Sequence, residues 1–289
     1  RTKVFSLLVV ISGVAPIIAP TFGNAILKVW HWQGIFYTMA LIGVLTILLS
    51  MLILPKSKSV KELQLSNAPK PNLKNMLVGY VRVMDNWQFL IYTLIGAMMY
   101  GAMMTYISNA PFIIMTVGGL SSDAFSIIFA INSIGLIIGT LLIRPLNKKF
   151  EVSTLIKIAL LLQLPVTALL VILSINVVSI IPLLVVLFIN LVLIGVLMPT
   201  TTSLALEPFT RESGTASALM GFIQLFFTFI FSTLISYLQN NSIIPAMIAL
   251  LFCTVLSLMI LWVGKSRKRR IIYYKIGRNW KEAYIKRKQ

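Results

Sequence analysis

The chain has 289 residues, 58% of them hydrophobic and only 11% charged. Soluble domains carry about 25% charge, and the apolar residues here form runs too long for one core, so a single water-soluble domain is excluded and membrane-spanning helices are indicated. Lys and Arg number 25 against 7 Asp and Glu, a net charge of +18, yet these bases lie in short segments between apolar runs. There they orient helices in a bilayer; they do not cover a nucleic-acid-binding surface. Cys253 is the lone cysteine and His31 the lone histidine, so neither an internal disulfide nor a metal framework is expected, and no cofactor is implied. Arg1 to Lys3 followed by an apolar run lacks a small-residue cleavage site and does not read as a signal peptide. Without an initiator Met, a missing N-terminal portion is the expectation.

Apolar stretches of spanning length, each roughly 20 residues, fall near 4–27, 34–54, 87–109, 123–143, 153–174, 179–204, 214–238 and 243–264. The expected fold is an all-α polytopic membrane protein of eight helices. Lys and Arg test the count, because basic residues in short loops stay on the cytoplasmic side. Placing alternate connections on alternate sides puts 24 of the 25 on one side and Lys28 alone on the other. One miscounted helix would exchange the sides of every later loop, so both ends of the chain are expected in the cytoplasm, with the protein in the cytoplasmic (inner) membrane.

Lys56 to Lys74 mixes Lys, Ser, Asn and Pro with few apolar residues and reads as a flexible linker. The expected organisation is two helices over 1–54, a cytoplasmic linker over 55–86, a six-helix bundle over 87–264 and a basic tail over 265–289. A six-helix bundle preceded by two helices suggests a two-bundle protein of twelve helices that lacks its first four.

In the first apolar stretch Gly13, Pro16, Pro20 and Gly23 recur at spacings of 3, 4 and 3, beside Ser12, Ala15 and Ala19. That spacing sets them on one helical face. Each proline removes a backbone donor and crowds the preceding turn, which a membrane accepts where a neighbouring helix or a cavity satisfies the freed carbonyls. Small residues let another helix approach closely. Tight packing is one reading of this face, and a functional bend is the other.

The run Gly13-Val-Ala-Pro-Ile-Ile-Ala-Pro-Thr-Phe-Gly-Asn24, followed by Trp32-Gln-Gly-Ile-Phe36, resembles the antiporter motif of the fifth helix in major facilitator superfamily exporters, in the double Ala-Pro form of the Bcr/CflA drug-resistance branch. Tyr106-Ile-Ser-Asn-Ala-Pro-Phe-Ile113, then Gly119, Ser121, Phe125 and Phe129-Ala-Ile-Asn-Ser-Ile-Gly135, is similar to the seventh and eighth helices of that branch. The resemblance covers the chain as helices five to twelve. It departs at Asn24, where the family usually has Gly, and at Gln33, where Arg is common. It implies export of small amphipathic drugs, bicyclomycin or chloramphenicol-like compounds among them, in exchange for protons, with Gly13, Pro16, Pro20 and Gly23 as a hinge and seal between bundles.

Tyr92, Gly96, Met99, Met103 and Tyr106 share one face of the third stretch. Methionine is unbranched and polarizable and tyrosine adds a hydroxyl, so the face suits a drug-binding wall, with plain core packing as the alternative. Asn132, Asn190 and Gln224 lie deep in apolar runs, where an amide must either bond a neighbouring helix or line a wet cavity. Gly135 and Gly139 share the face of Asn132, while Gly214, Ser217, Gly221 and Thr228 share that of Gln224. Arg144 to Lys149 resembles a degenerate form of the superfamily's basic loop motif, with positive-inside anchoring as the alternative. Arg267-Lys-Arg-Arg270 in the tail suits anionic lipid. Trp30, His31 and Trp32 read as an aromatic belt at the opposite interface.

The seven acids are Glu62, Asp85, Asp123, Glu151, Glu207, Glu212 and Glu282, all expected in loops, at helix ends or in the tail. A proton antiporter needs a titrating group within the membrane, so its coupling acids are expected in the four absent helices. The competing readings are a complete eight-helix scaffold or channel without proton coupling, and an integral membrane enzyme. The last is disfavoured, because the helices offer no carboxylate pair and no Ser or Cys beside a base. The expected partners are a small amphipathic substrate, protons and anionic lipid, with no nucleic acid, and the chain is expected to be a monomer.

Overall fold

The computed structural model describes residues 2–53, 73–175, 179–210, 212–238 and 242–264, with the side chains of 19, 21–53 and 77 onward within those ranges. The basic tail, most of the linker, Asn176 and Arg211 lie outside the described residues, as do the side chains of Gly13, Pro16 and Pro20.

Every regular element among the described residues is helical. α1 runs Thr2–Ile53 and α2 Leu73–Met84. α3 spans Trp87–Pro111 and continues as a π-helical turn over Phe112–Val117. α4 spans Ser122–Leu146, α5 Val152–Ile175, α6 Ile180–Leu206, α7 Ser213–Leu238 and α8 Ile244–Gly264. Seven of the described helical segments are long and apolar enough to cross a membrane, the shortest having 21 residues. At 1.5 Å per residue that is about 31 Å, the thickness of the hydrocarbon layer.

The first two apolar stretches join in one long helix. Pro16 and Pro20 sit within continuous helix, and non-helical dihedrals fall at Trp30 and His31, with His31 at φ 53° and ψ −166°. Gly34 explains how the chain tolerates this break: a Cβ there would meet the Trp30 Cβ at 2.5 Å. The short connection expected over Lys28 to Gln33 is this kink. Beyond it no residue from 35 to 53 is buried, with Met51, Leu52 and Ile53 each more than 70% exposed.

Part of the expected linker is helical. Leu73–Met84 forms α2, whose Val83 is buried with Phe89, Ala205 and Ala216. Asn86 then caps α3, its side chain accepting from the Phe89 N–H at 3.0 Å, which satisfies a donor the helix start leaves open. Ser179 and Ser242 do the same for Ile181 and Ile244 at the starts of α6 and α8. At the far end of α3, Pro111 has no N–H to continue the ladder. The chain widens into the π turn, closed by the Gly118 N–H on the Ile113 carbonyl at 3.0 Å. Gly119 then takes φ +64°, a left-handed conformation that glycine adopts without steric cost.

Among the described residues, those up to Gly79 together with Leu120–Ser133 form one compact unit, and Tyr80–Gly119 together with those from Ile134 to Gly264 form another. In the second unit α3 packs against α6 and α7, and α5 packs against α6. The helices approach through glycine. A Cβ on Gly139 of α4 would lie 2.0 Å from the Val192 carbonyl oxygen of α6, and one on Gly195 of α6 would lie 2.3 Å from the Leu136 oxygen. The Thr140 hydroxyl crosses the same seam to the Gly195 carbonyl at 3.1 Å. Lipid tails are as apolar as the side chains they meet, so close van der Waals packing and interhelical hydrogen bonds hold such a bundle.

Candidate functional site

Within the second unit the α3 face separates into two parts. Met99 and Tyr106 are fully packed, at 0% and 2% exposure, whereas Tyr92 and Met103 are half-buried. Gly96 lies between them, where α3 presents bare backbone. A Cβ there would meet the Thr201 hydroxyl of α6 at 3.1 Å and the Gln224 amide nitrogen of α7 at 3.5 Å. Thr201 is buried, and its hydroxyl bonds back to the Leu197 carbonyl at 2.7 Å. Gln224 is half-buried. Thr93, one turn before Gly96, is 1% exposed, and its hydroxyl has no hydrogen-bond partner. Two turns of α3 thus bring a glycine notch and three polar side chains into one neighbourhood of an otherwise apolar bundle. Further along α3, Gly101 receives the Phe231 ring of α7 at 3.0 Å from its Cβ position, and Phe231 packs edge-on to Phe252 of α8.

The three amides have different surroundings. Asn190 of α6 is fully buried and accepts from the Gln163 amide of α5 at 3.1 Å, a bond across two helices. Gln163 Oε1 and Asn190 Nδ2 have no hydrogen-bond partner. Asn132 is buried at 2% exposure in the first unit, and Gln224 stands at the notch. Gln163, Thr93 and Thr201 were not singled out from the sequence. Gln163 carried the same signal as the other amides, a polar residue inside an apolar run. Thr201 lies in the run Pro199-Thr-Thr-Thr202, where a proline frees a carbonyl that hydroxyls can approach.

At one end of this unit Gln88 Nε2 donates to the Leu204 carbonyl at 3.0 Å and to Glu207 at 2.8 Å, tying the start of α3 to the end of α6. Arg82 pairs with Glu212 at 2.7 Å. Glu207 caps α6, Asp123 sits in the first turn of α4, and Asp85 lies between α2 and α3. Of the antiporter-motif residues, Gly23 has its side-chain position described, and a Cβ there would meet nothing within 4 Å. No group of three His, Cys, Asp or Glu stands close enough to hold a metal ion among the described residues.

Long apolar helices joined through glycine seams, with polar side chains turned inward, are the build of a polytopic transporter. The sequence model of the Major Facilitator Superfamily matches residues 1–232. The chain belongs to the major facilitator superfamily. This is a family of membrane transporters and not of enzymes. Among relatives, the chain is 30% identical over 270 residues to the uncharacterized MFS-type transporter YdgK of Bacillus subtilis, covering 93% of this chain and 65% of that protein. It is 23% identical over 266 residues to a bicyclomycin resistance protein homolog of Haemophilus influenzae, covering 92% of this chain and 66% of the relative. A shorter match, 28% over 133 residues, joins 46% of this chain to 32% of the multidrug resistance protein MdtL of Escherichia coli. The chain therefore spans just under two thirds of the first two relatives' length.

Proposed function

We propose that the protein is a secondary active exporter of amphipathic, drug-like compounds, driven by proton antiport and working by alternating access. The observation that carries this reading is the α3 face at Gly96, where the missing side chain lets the Thr201 hydroxyl and the Gln224 amide come close to the backbone beside the half-buried Tyr92. Such a wall offers a compound an adaptable apolar surface and a few hydrogen bonds. That is what a pocket for varied amphiphiles needs, since most of the contact is apolar and the polar groups set orientation. Relatives named for bicyclomycin and multidrug resistance are consistent with it, as is the resemblance of the Gly13 to Asn24 run to the Bcr/CflA antiporter motif.

In this reading two helical bundles rock about a site near the membrane midplane. Gly13, Pro16, Pro20 and Gly23 form the hinge, and in the second unit Met99, Met103, Tyr106 and Asn190 back or line the substrate path. Both ends of this chain lie in the cytoplasm, where the basic tail meets anionic lipid. The described acids stand at helix ends or between helices. The test is accumulation of a bicyclomycin-like or chloramphenicol-like compound in cells expressing the gene. Accumulation falls while the proton gradient stands and recovers when an uncoupler collapses it. Equal accumulation with and without expression, for every amphiphile tried, refutes the proposal.

A further inference from the structure

Lys28 and Asp123 hold a position that no other charged residues share. The distribution of basic residues puts 24 of the 25 Lys and Arg on one side of the membrane, and the same alternation of connections puts every acid except Asp123 there too. Within this sequence the opposite face thus carries one Lys or Arg and one acid, and they meet. Lys28 Nζ lies 2.5 Å from Asp123 Oδ1, and Asn24 Nδ2 donates to the same oxygen at 2.8 Å. The Ser122 hydroxyl closes the cluster on Asn24 Oδ1 at 2.5 Å. Four side chains from α1 and the first turn of α4, nearly 100 positions apart in sequence, form one connected clasp.

Two features argue against a purely structural staple. The ion-paired side chains are 57% and 62% exposed, and pairs so open to solvent add little to stability. Before the kink, none of the described side chains of α1, residue 19 and residues 21–29, is buried. A contact that is specific and cheap to break, on a stretch of helix whose described side chains are unburied, suits repeated opening better than permanent bracing.

We infer that Asn24, Lys28, Ser122 and Asp123 form a polar latch that holds the α1 and α4 ends together on the sparsely charged face and releases once in each transport cycle. This rests on the alternating-access reading for the release step, but the closed latch is testable without it. Because no other Lys, Arg, Asp or Glu of this sequence falls on that face, exchanging the two preserves the latch and reversing one abolishes it.

The experiment uses the protein expressed from its own gene, in membrane vesicles. Ser126, buried one turn along α4 from the clasp, is replaced by cysteine, and its labelling by a membrane-impermeant maleimide is timed; native Cys253 is buried. With Asp123→Lys the labelling rate rises by about fivefold, the scale of one exposed ion pair. With Lys28→Asp and Asp123→Lys together it returns to the starting rate. No rise in the single variant, or no recovery in the exchanged pair, overturns the latch whether or not any compound is transported. The second arm bridges Lys28→Cys and Asp123→Cys with a short, reducible thiol crosslinker. Export of a compound that the unmodified protein moves should then fall at least about tenfold and return on reduction, as expected when a gating motion is blocked. Undiminished export by fully bridged protein overturns the latch and leaves the transporter reading intact. Absence of export from the unmodified protein counts against the transporter reading and takes the release step with it.

Discussion

Replacing Gly139 by alanine tests whether the α4–α6 seam is as close as the structure makes it. The added Cβ would sit 2.0 Å from the Val192 carbonyl oxygen and 3.0 Å from backbone atoms of Gly195. Carbon to carbonyl-oxygen contacts between packed helices lie at about 3.3 Å or more, so the helices must part by more than 1 Å, roughly speaking. The obstacle is backbone, which cannot swing aside as a side chain does. The Thr140 bond to the Gly195 carbonyl at 3.1 Å is stretched by the same movement. Overfilling a packed interior usually costs about 1–3 kcal/mol, and a backbone clash belongs at the upper end. At about 2–4 °C per kcal/mol for chains of this size, Gly139→Ala should lower Tm in detergent by about 6–12 °C. Gly221→Ala is the control, since a Cβ there meets nothing within 4 Å. Its Tm should hold or rise slightly, because alanine is the better helix former. Equal melting of the two variants would refute the close seam.

Three further outcomes follow from single positions. Gln163→Leu removes the only described bond of the buried Asn190 side chain and should destabilise by about 1 kcal/mol or more, while Gln163→Leu with Asn190→Leu should recover most of that loss; a thermal-shift double-mutant cycle reads the difference. Gly119→Ala forces a side chain into φ +64° and should cost about 1–2 kcal/mol, seen as a lower Tm with export retained. Gln224→Ala removes the amide at the Gly96 notch and should weaken export of hydrogen-bonding compounds by about fivefold, one ordinary hydrogen bond, with a smaller effect on purely apolar ones; a dose–response series of both compound types measures this.

Much of the architecture could be read from the chain because a bilayer leaves few options. Without water to satisfy the backbone, apolar runs of spanning length must be helices, and the expected stretches from 87 to 264 agree with α3 to α8 to within a few residues at most ends. Where local rules compete, the reading was less complete. α3 passes Asn109, where the expected stretch ended, because Pro111 diverts the ladder into a π turn that carries the helix to Val117. The kink of α1 does fall in the gap expected between the first two stretches, at Trp30 and His31 with Gly34 beneath them, while Pro16 and Pro20 lie in continuous helix. The Leu73–Met84 segment was read as linker on its flanking Lys, Asn and Pro, yet its apolar residues suffice for a helix that buries Val83. At the candidate site, helical spacing found the α3 face and the amides. It could not tell which side chains are sealed, such as Met99 and Tyr106, from which stand partly open, such as Tyr92, Met103 and Gln224. That distinction depends on which neighbouring helix lies opposite, and periodicity along one helix carries no such information. Asn24 was legible only as a departure from a motif; its partners Ser122 and Asp123 are set by the packing of α1 beside α4.

The most direct test of the account is the accumulation of a labelled amphipathic antibiotic in cells that do or do not express the gene, measured before and after an uncoupler is added. The account predicts lower accumulation in expressing cells that rises to the control level when the proton gradient collapses. Accumulation that is the same in both cells, or a difference that survives the uncoupler, would contradict it.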